Sequence, residues 1–245
     1  MRTAGPALPG AWSIGRVTSN RFVTLVVALV AAVVVAALIQ FNRTATGYNQ
    51  YLVGNMIGLF WVPMLTILFV FREDPAGFGF TLGSSKRIWI VVTILFAGLF
   101  VLMLAASRWQ IFQDYYPLFR RFDEFKQLFA RHNYPAKNPF LAAPMIMLYA
   151  EASYGMYMFC WEFFFRGYLL FGLMRSIGWP AVLVQAVAFG LLHLGKPVTE
   201  QVASYGAGII LGLIAMNARS FVPCFVLHWT ASISFDLLVV AARPQ

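Results

Sequence analysis

Charge is what this sequence has least of. Only 11% of its 245 residues are Asp, Glu, Lys or Arg, against roughly one-quarter in soluble domains, and that scarcity argues against a water-soluble fold. Acids are rarer still, nine Asp and Glu beside 18 Lys and Arg, for a net charge of +9. The basic residues are scattered over loops and helix ends rather than gathered on one face. That pattern speaks against nucleic acid and leaves lipid headgroups as the anionic neighbours. Cysteine is nearly absent. Cys160 and Cys224 lie in apolar stretches without CxxC spacing, so neither a disulfide framework nor a zinc knuckle is expected, and both read as packed thiols. No internal repeat links the apolar segments.

What the chain has instead is apolar length, with 60% hydrophobic and 17% aromatic residues. A bilayer core about 30 Å thick needs about 20 apolar residues per helix. Several runs reach that length, which predicts an all-α, polytopic membrane bundle of about seven transmembrane helices. A Gly/Pro-rich leader at residues 1–21 precedes three spans within residues 22–107: Phe22 to Ile39, Leu52 to Phe71 and Ile88 to Ala106. The first run is too long for a signal-peptide core and lacks a small-residue cleavage site before Gln40, so it reads as a retained helix. A polar loop with Arg43 and Asn49 joins the first two spans. Arg72 to Arg87, with Pro75, three glycines and both charge signs, reads as a loop before the third.

Residues 108–139 turn polar, aromatic and basic. Tyr115-Tyr116-Pro117, Arg120-Arg121 and the helix-like spacing of Phe119, Phe122, Phe125 and Phe129 suit an interfacial element. Residues 140–241 form a helical core, followed by a tail at 242–245. The core reads as a long stretch from Phe140 to Ile177, a helix from Ala181 to Leu194, a break at Gly195 and Pro197, a helix from Val198 to Asn217, and a last helix that Ser220 can cap. Gly208 and Gly212 give a GxxxG spacing suited to close helix packing. Lys and Arg divide evenly between the two sides of the membrane, and the basic leader favours an N-terminus inside.

Glu162, Arg166, His193 and His228 stand inside these apolar segments. An ionised side chain in hydrocarbon costs a few kcal/mol on insertion scales, so such residues face the bundle interior and find partners. Glu162 and Arg166, four apart in the acid-first order, share a helix face, and an ion pair alone would account for both. His193, one turn after Phe189, and His228, one turn before Ser232, have no such explanation. A carboxylate and two imidazoles in a low-dielectric site can activate water for hydrolysis. Glu151, three turns before Glu162, fits a polar helix contact or a supporting role. Glu200 fits a first-turn acid favoured by the helix dipole, or a replacement carboxylate for the site. Asp236 is placed near the membrane edge without a role.

Trp161-Glu162-Phe163-Phe164-Phe165-Arg166-Gly167, then Phe189-Gly190-Leu191-Leu192-His193, then His228-Trp229-Thr230-Ala231-Ser232 follow one another in that order. They resemble the EExxxR, FxxxH and Hxxx(N/D) motifs of the CPBP intramembrane proteases, which comprise the type II CAAX prenyl endopeptidases and their bacterial relatives. The resemblance covers about Phe140 to Val240. It implies an endopeptidase that cleaves membrane-associated or lipidated proteins with water activated by Glu and His. On that basis Glu162 is the base, His193 and His228 orient water or stabilise the oxyanion, Arg166 holds the glutamate and Ser232 supports His228, with Trp161, Glu151, Glu200 and Phe189 around them.

Two positions depart from the motifs. Trp161 replaces the first glutamate, so the carboxylate role falls on Glu162, about 100° around the helix. Ser232 replaces Asn or Asp, where a hydroxyl can still orient a histidine or donate to an oxyanion. The family has been discussed both as metal-dependent and as glutamate-dependent. Zinc would need Glu162 beside His193 and His228, and activation without a metal cofactor is the expectation. Expected partners are a protein or peptide substrate and the lipid bilayer, in a bacterial cytoplasmic membrane, with the oligomeric state open. Two alternatives stand beside this reading: a catalytically inactive relative serving as a binding or immunity protein, and a proton-coupled small transporter, which lacks the support of an inverted repeat.

Overall fold

The computed structural model describes residues 19–83, 86–134 and 137–243. Most of the expected leader, and Pro244 and Gln245 of the expected tail, lie outside the described residues. Apolar runs become helices because a chain in hydrocarbon must satisfy its own backbone hydrogen bonds. Helix α1, Asn20–Thr44, starts at Ser19, whose hydroxyl accepts from the Phe22 N–H at 3.3 Å. Helix α2, Tyr48–Phe71, includes two π-helical stretches, Ile57–Trp61 and Thr66–Phe71, and α3 is Lys86–Ala106. The polar loop expected between the first two spans shrinks to residues 45–47. Arg43 belongs to the last turn of α1 and Asn49 to the first turn of α2, because polar side chains at a bilayer surface can bond water while the helix runs on.

After α3 the chain folds into a cap made of α4, Gln110–Tyr115, a 3-10 turn, Leu118–Arg121, and α5, Asp123–Arg131. Its phenylalanine stripe, Phe119, Phe122, Phe125 and Phe129, is buried against the bundle. Glu124 accepts from the Tyr48 N–H at 3.1 and 3.0 Å, which fixes α5 to the start of α2.

Helix α6, Pro144–Glu162, runs through π-helical Phe163–Leu169 into Leu170–Ile177. Residues 144–177 thus form one rod of about 50 Å at 1.5 Å per residue, longer than the bilayer core is thick. Gly178, at φ 63°, ends it. Helices α7, Ala181–Leu191, α8, Val198–Ala218, and α9, Val222–Ala242, follow. Five helices, α1, α2, α3, α8 and α9, are long and apolar enough to cross a membrane. With the rod and the shorter α7 they make an all-α membrane bundle, without a strand among the described residues.

The rod is the centre of the bundle. Thr24 of α1 donates to the Gly172 carbonyl at 3.0 Å, and Tyr48 and Tyr51 of α2 donate to the Ala150 carbonyl at 2.8 Å and the Tyr157 hydroxyl at 3.1 Å. Helices α7 and α8 approach closely across the GxxxG positions. A Cβ on Gly208 would lie 2.9 Å from Ala186 Cα, and the Gln185 amide donates to the Gly208 carbonyl at 2.7 Å. Helix α9 packs on α3 and the rod. Phe221 is the N-cap of α9 in place of the expected Ser220, whose hydroxyl lies one residue earlier and accepts from the Val222 N–H at 3.1 Å. Cys160 and Cys224 are buried free thiols.

Candidate active site

Glu162 is the last α-helical residue of α6, and the π-helical stretch after it carries Arg166; both side chains are fully buried. Wide π turns recur where a helix must aim side chains at a site. Arg166 Nη1 donates to Glu162 Oε1 at 3.2 Å, the pair that the four-residue spacing predicts. The same oxygen lies 2.6 Å from His228 Nδ1, so Glu162 joins the rod to α9. A carboxylate only accepts, which places the proton on Nδ1 and the lone pair on Nε2.

His193 is not on a helix. Helix α7 ends at Leu191, short of the expected Leu194, and His193 occupies the turn completed by Gly195, at φ 92°. A left-handed glycine followed by Pro197 draws the chain off the helical path. His193 Nδ1 donates to the Phe189 carbonyl at 2.9 Å, one of the acceptors that a helix end leaves free. Its Nε2 therefore also carries a lone pair. The Phe189 ring packs between these groups, with centroids 4.5 Å from His193 and 5.9 Å from His228, and the Arg166 guanidinium lies 4.0 Å from its centroid.

Both histidines line a cavity of about 490 Å³. Its walls are apolar, including Ile94, Leu99 and Leu102 of α3, Ala207 and Ile210 of α8, and Leu227 of α9. Ile94 and Leu102 are 65% and 67% exposed on the bundle surface, so the α3 wall borders lipid. Glu162 does not line the cavity. It lies one side chain back, behind His228.

Residues 143–234 match the family model for Type II CAAX prenyl endopeptidase Rce1-like proteins. This helical core is Rce1-like. The matched segment contains all three motifs and bears out the CPBP resemblance. At the family level this core is similar to that of the intramembrane CAAX-type proteases, and it is carried by an integral, multi-pass membrane protein. No curated protein and no solved structure matches the chain. Helix α3 lies outside the Rce1-like segment yet supplies one wall of its cavity.

The two departures from the motifs acquire a geometry. Trp161 is buried against Phe165 and Phe189 and presents its indole to His193, with centroids 5.6 Å apart. The position of the missing first glutamate therefore faces His193, while Glu162, one step around the rod, faces His228. Ser232 is half-buried one turn after His228 and makes no side-chain hydrogen bond among the described residues. Zinc in a catalytic site takes three protein ligands plus water, and the candidate set does not fit it. With Nδ1 engaged by Glu162, His228 offers only Nε2, on the far edge of the ring from that carboxylate. Among the described residues no three His, Cys, Asp or Glu side chains are grouped to hold a metal.

Glu200 does reach the cavity of the Rce1-like core, from the first turn of α8. Its oxygens are engaged, one accepting from the Tyr116 hydroxyl at 2.5 Å and the other from Lys196 Nζ at 2.7 Å. The carboxylate thereby ties the cap and the His193 turn to α8. Burial, reinforced by the Glu200 charge, pushes the Tyr116 phenol well above its usual range and keeps it a donor. Sequence reasoning missed Tyr116, because nothing local marks a contact 84 residues distant. Glu151 lies apart from the histidines. Asp236, expected near the membrane edge, is 2% exposed within the bundle and adjoins Glu151. The signal for that pairing was two lone acids on apolar helices.

Proposed function

We propose that this protein is an intramembrane endopeptidase in which His228, held by Glu162, is the base that activates water. The observation that carries the reading is the 2.6 Å contact of Glu162 Oε1 with His228 Nδ1, behind a cavity that both histidines line. His228 Nε2 takes a proton from water as the oxygen adds to the amide carbon and the carbonyl pair moves onto oxygen. Glu162 stabilises the imidazolium so formed. His228 then gives its proton to the amide nitrogen, the C–N bond breaks, and a carboxylic acid and an amine result. His193 Nε2 accepts the water's second hydrogen bond and orients it. Ser232, one turn after His228, supports that histidine in this reading, and Arg166 holds Glu162. Glu162 thus works through His228, because a carboxylate outside the cavity cannot touch the water itself.

Apolar walls bordering lipid suit a membrane-associated or lipidated protein substrate that arrives from the bilayer. The test is cleavage of membrane-inserted and lipidated fluorogenic peptides by purified protein in nanodiscs. The wild type cuts, and His228→Ala and Glu162→Gln, though inserted and helical, cut at least about 100-fold more slowly. Wild-type rates in both variants would show the assignment to be wrong. Trp161 favours a second reading, an inactive relative that binds proteins without cutting them, since an indole meets His193 where the motif has a carboxylate. Saturable peptide binding without cleavage, unchanged in His228→Ala, would select that reading.

A further inference from the structure

Away from the histidines, unneutralised positive charge concentrates where α1, the cap and the His193 turn meet. A pocket of about 240 Å³ there is lined by Arg43 from the last turn of α1, Arg121 from the cap and Lys196 from the turn. No acid lines it. Lys196 is paired with Glu200, but Arg43 and Arg121 make no ion pair among the described residues. Arg121 instead lies 4.9 Å from the Tyr51 ring centroid and 4.7 Å from that of Phe122. These contacts fix its guanidinium without cancelling its charge. The volume equals about eight waters at roughly 30 Å³ each, enough for a tetrahedral anion and a short polyol attached to it. Planar guanidinium forks match phosphate oxygens two at a time.

Position identifies the source of the anion. Helix α1 ends here and α2 begins, α7 ends and α8 begins, so the pocket lies where helices leave the hydrocarbon and headgroups sit. Leu191 and Leu194 on its rim are 37% and 44% exposed, an apolar path for acyl chains beside a basic hollow. We propose that this pocket binds the phosphate of an anionic lipid headgroup. Residues 191–196 both wall the pocket and carry His193, so an occupied pocket also braces the catalytic turn. That consequence rests on the protease reading, whereas lipid binding does not.

The experiment reconstitutes the full chain in nanodiscs of phosphatidylcholine with a minor fraction of phosphatidylglycerol, then counts the lipids retained after transfer to detergent by native mass spectrometry. The wild type is expected to retain phosphatidylglycerol over phosphatidylcholine. Arg43→Gln/Arg121→Gln retains about tenfold less, as the loss of two charges near an anionic headgroup implies. Arg121→Lys, which keeps the charge, still retains it and controls for folding. Equal retention of the two lipids, or undiminished retention by the double Gln variant, overturns the proposal. So does binding of inorganic phosphate without retention of phosphatidylglycerol. Displacement of the lipid by a short peptide with a free C-terminal carboxylate, but not by its amide, reassigns the pocket to a peptide and overturns the lipid assignment as well.

Discussion

Two polar groups converge on Glu162 Oε1, a guanidinium on its own rod and an imidazole from α9 that reaches the cavity. Burying a charge without its partner is far costlier than burying the pair, so Arg166→Met is expected to destabilise the protein by about 3–5 kcal/mol. Chemical unfolding in detergent measures this, and Arg166→Met combined with Glu162→Gln should recover part of the loss. Stability equal to wild type in Arg166→Met would mean that Arg166 does not hold the glutamate. The Glu162–Arg166 pair was legible from spacing alone, and so were the histidines as unexplained polar residues in apolar runs. The Glu162–His228 contact was not, because it closes over 66 residues and depends on how α9 lies against the rod. For the same reason the sequence could flag Trp161 as a departure without saying that it faces His193.

Element boundaries decide where those residues point. The apolar runs identified the spanning helices, since length and hydropathy are all that a bilayer demands of them. The end of α7 was harder to see. Leu191 to Leu194 is as apolar as the helix before it, and the turn is imposed by Gly195 and Pro197 from downstream. The GxxxG spacing pointed to close packing, and the structure supplies the partner, α7. Gly208→Val is therefore expected to overpack that seam and cost about 1–3 kcal/mol. Gly206→Val, on a face with no neighbour within 4 Å, should change stability far less. Thermal unfolding of the purified variants separates the two positions. Tyr116→Phe removes the cap's bond to Glu200, a hydrogen bond to a charged group, for an expected loss of about 1.5–3 kcal/mol. It should also slow cleavage while leaving the histidines unchanged, as a kcat measurement on the variant would register.

At the scale of the whole molecule, an all-α membrane bundle was readable from the continuous apolar runs, because segments of about 20 apolar residues satisfy their backbone in a bilayer as helices. The cap was readable only as an interfacial segment. Its tethers, Glu124 to Tyr48 and Tyr116 to Glu200, join parts of the chain that no local pattern connects. The cavity also combines α3 with helices of the Rce1-like core, so the chain N-terminal to the matched segment belongs to the site's enclosure. With no third ligand grouped with His193 and His228 among the described residues, a strong chelator is expected to leave cleavage unchanged, and a chelator-sensitive rate restored by zinc would contradict that.

The most direct measurement is the rate at which purified wild type, His228→Ala and Glu162→Gln cleave one membrane-inserted peptide under identical conditions. A base held by a buried carboxylate predicts falls of about 10²- to 10⁴-fold in both variants, with insertion and helicity retained. Cleavage by Glu162→Gln at the wild-type rate would contradict it.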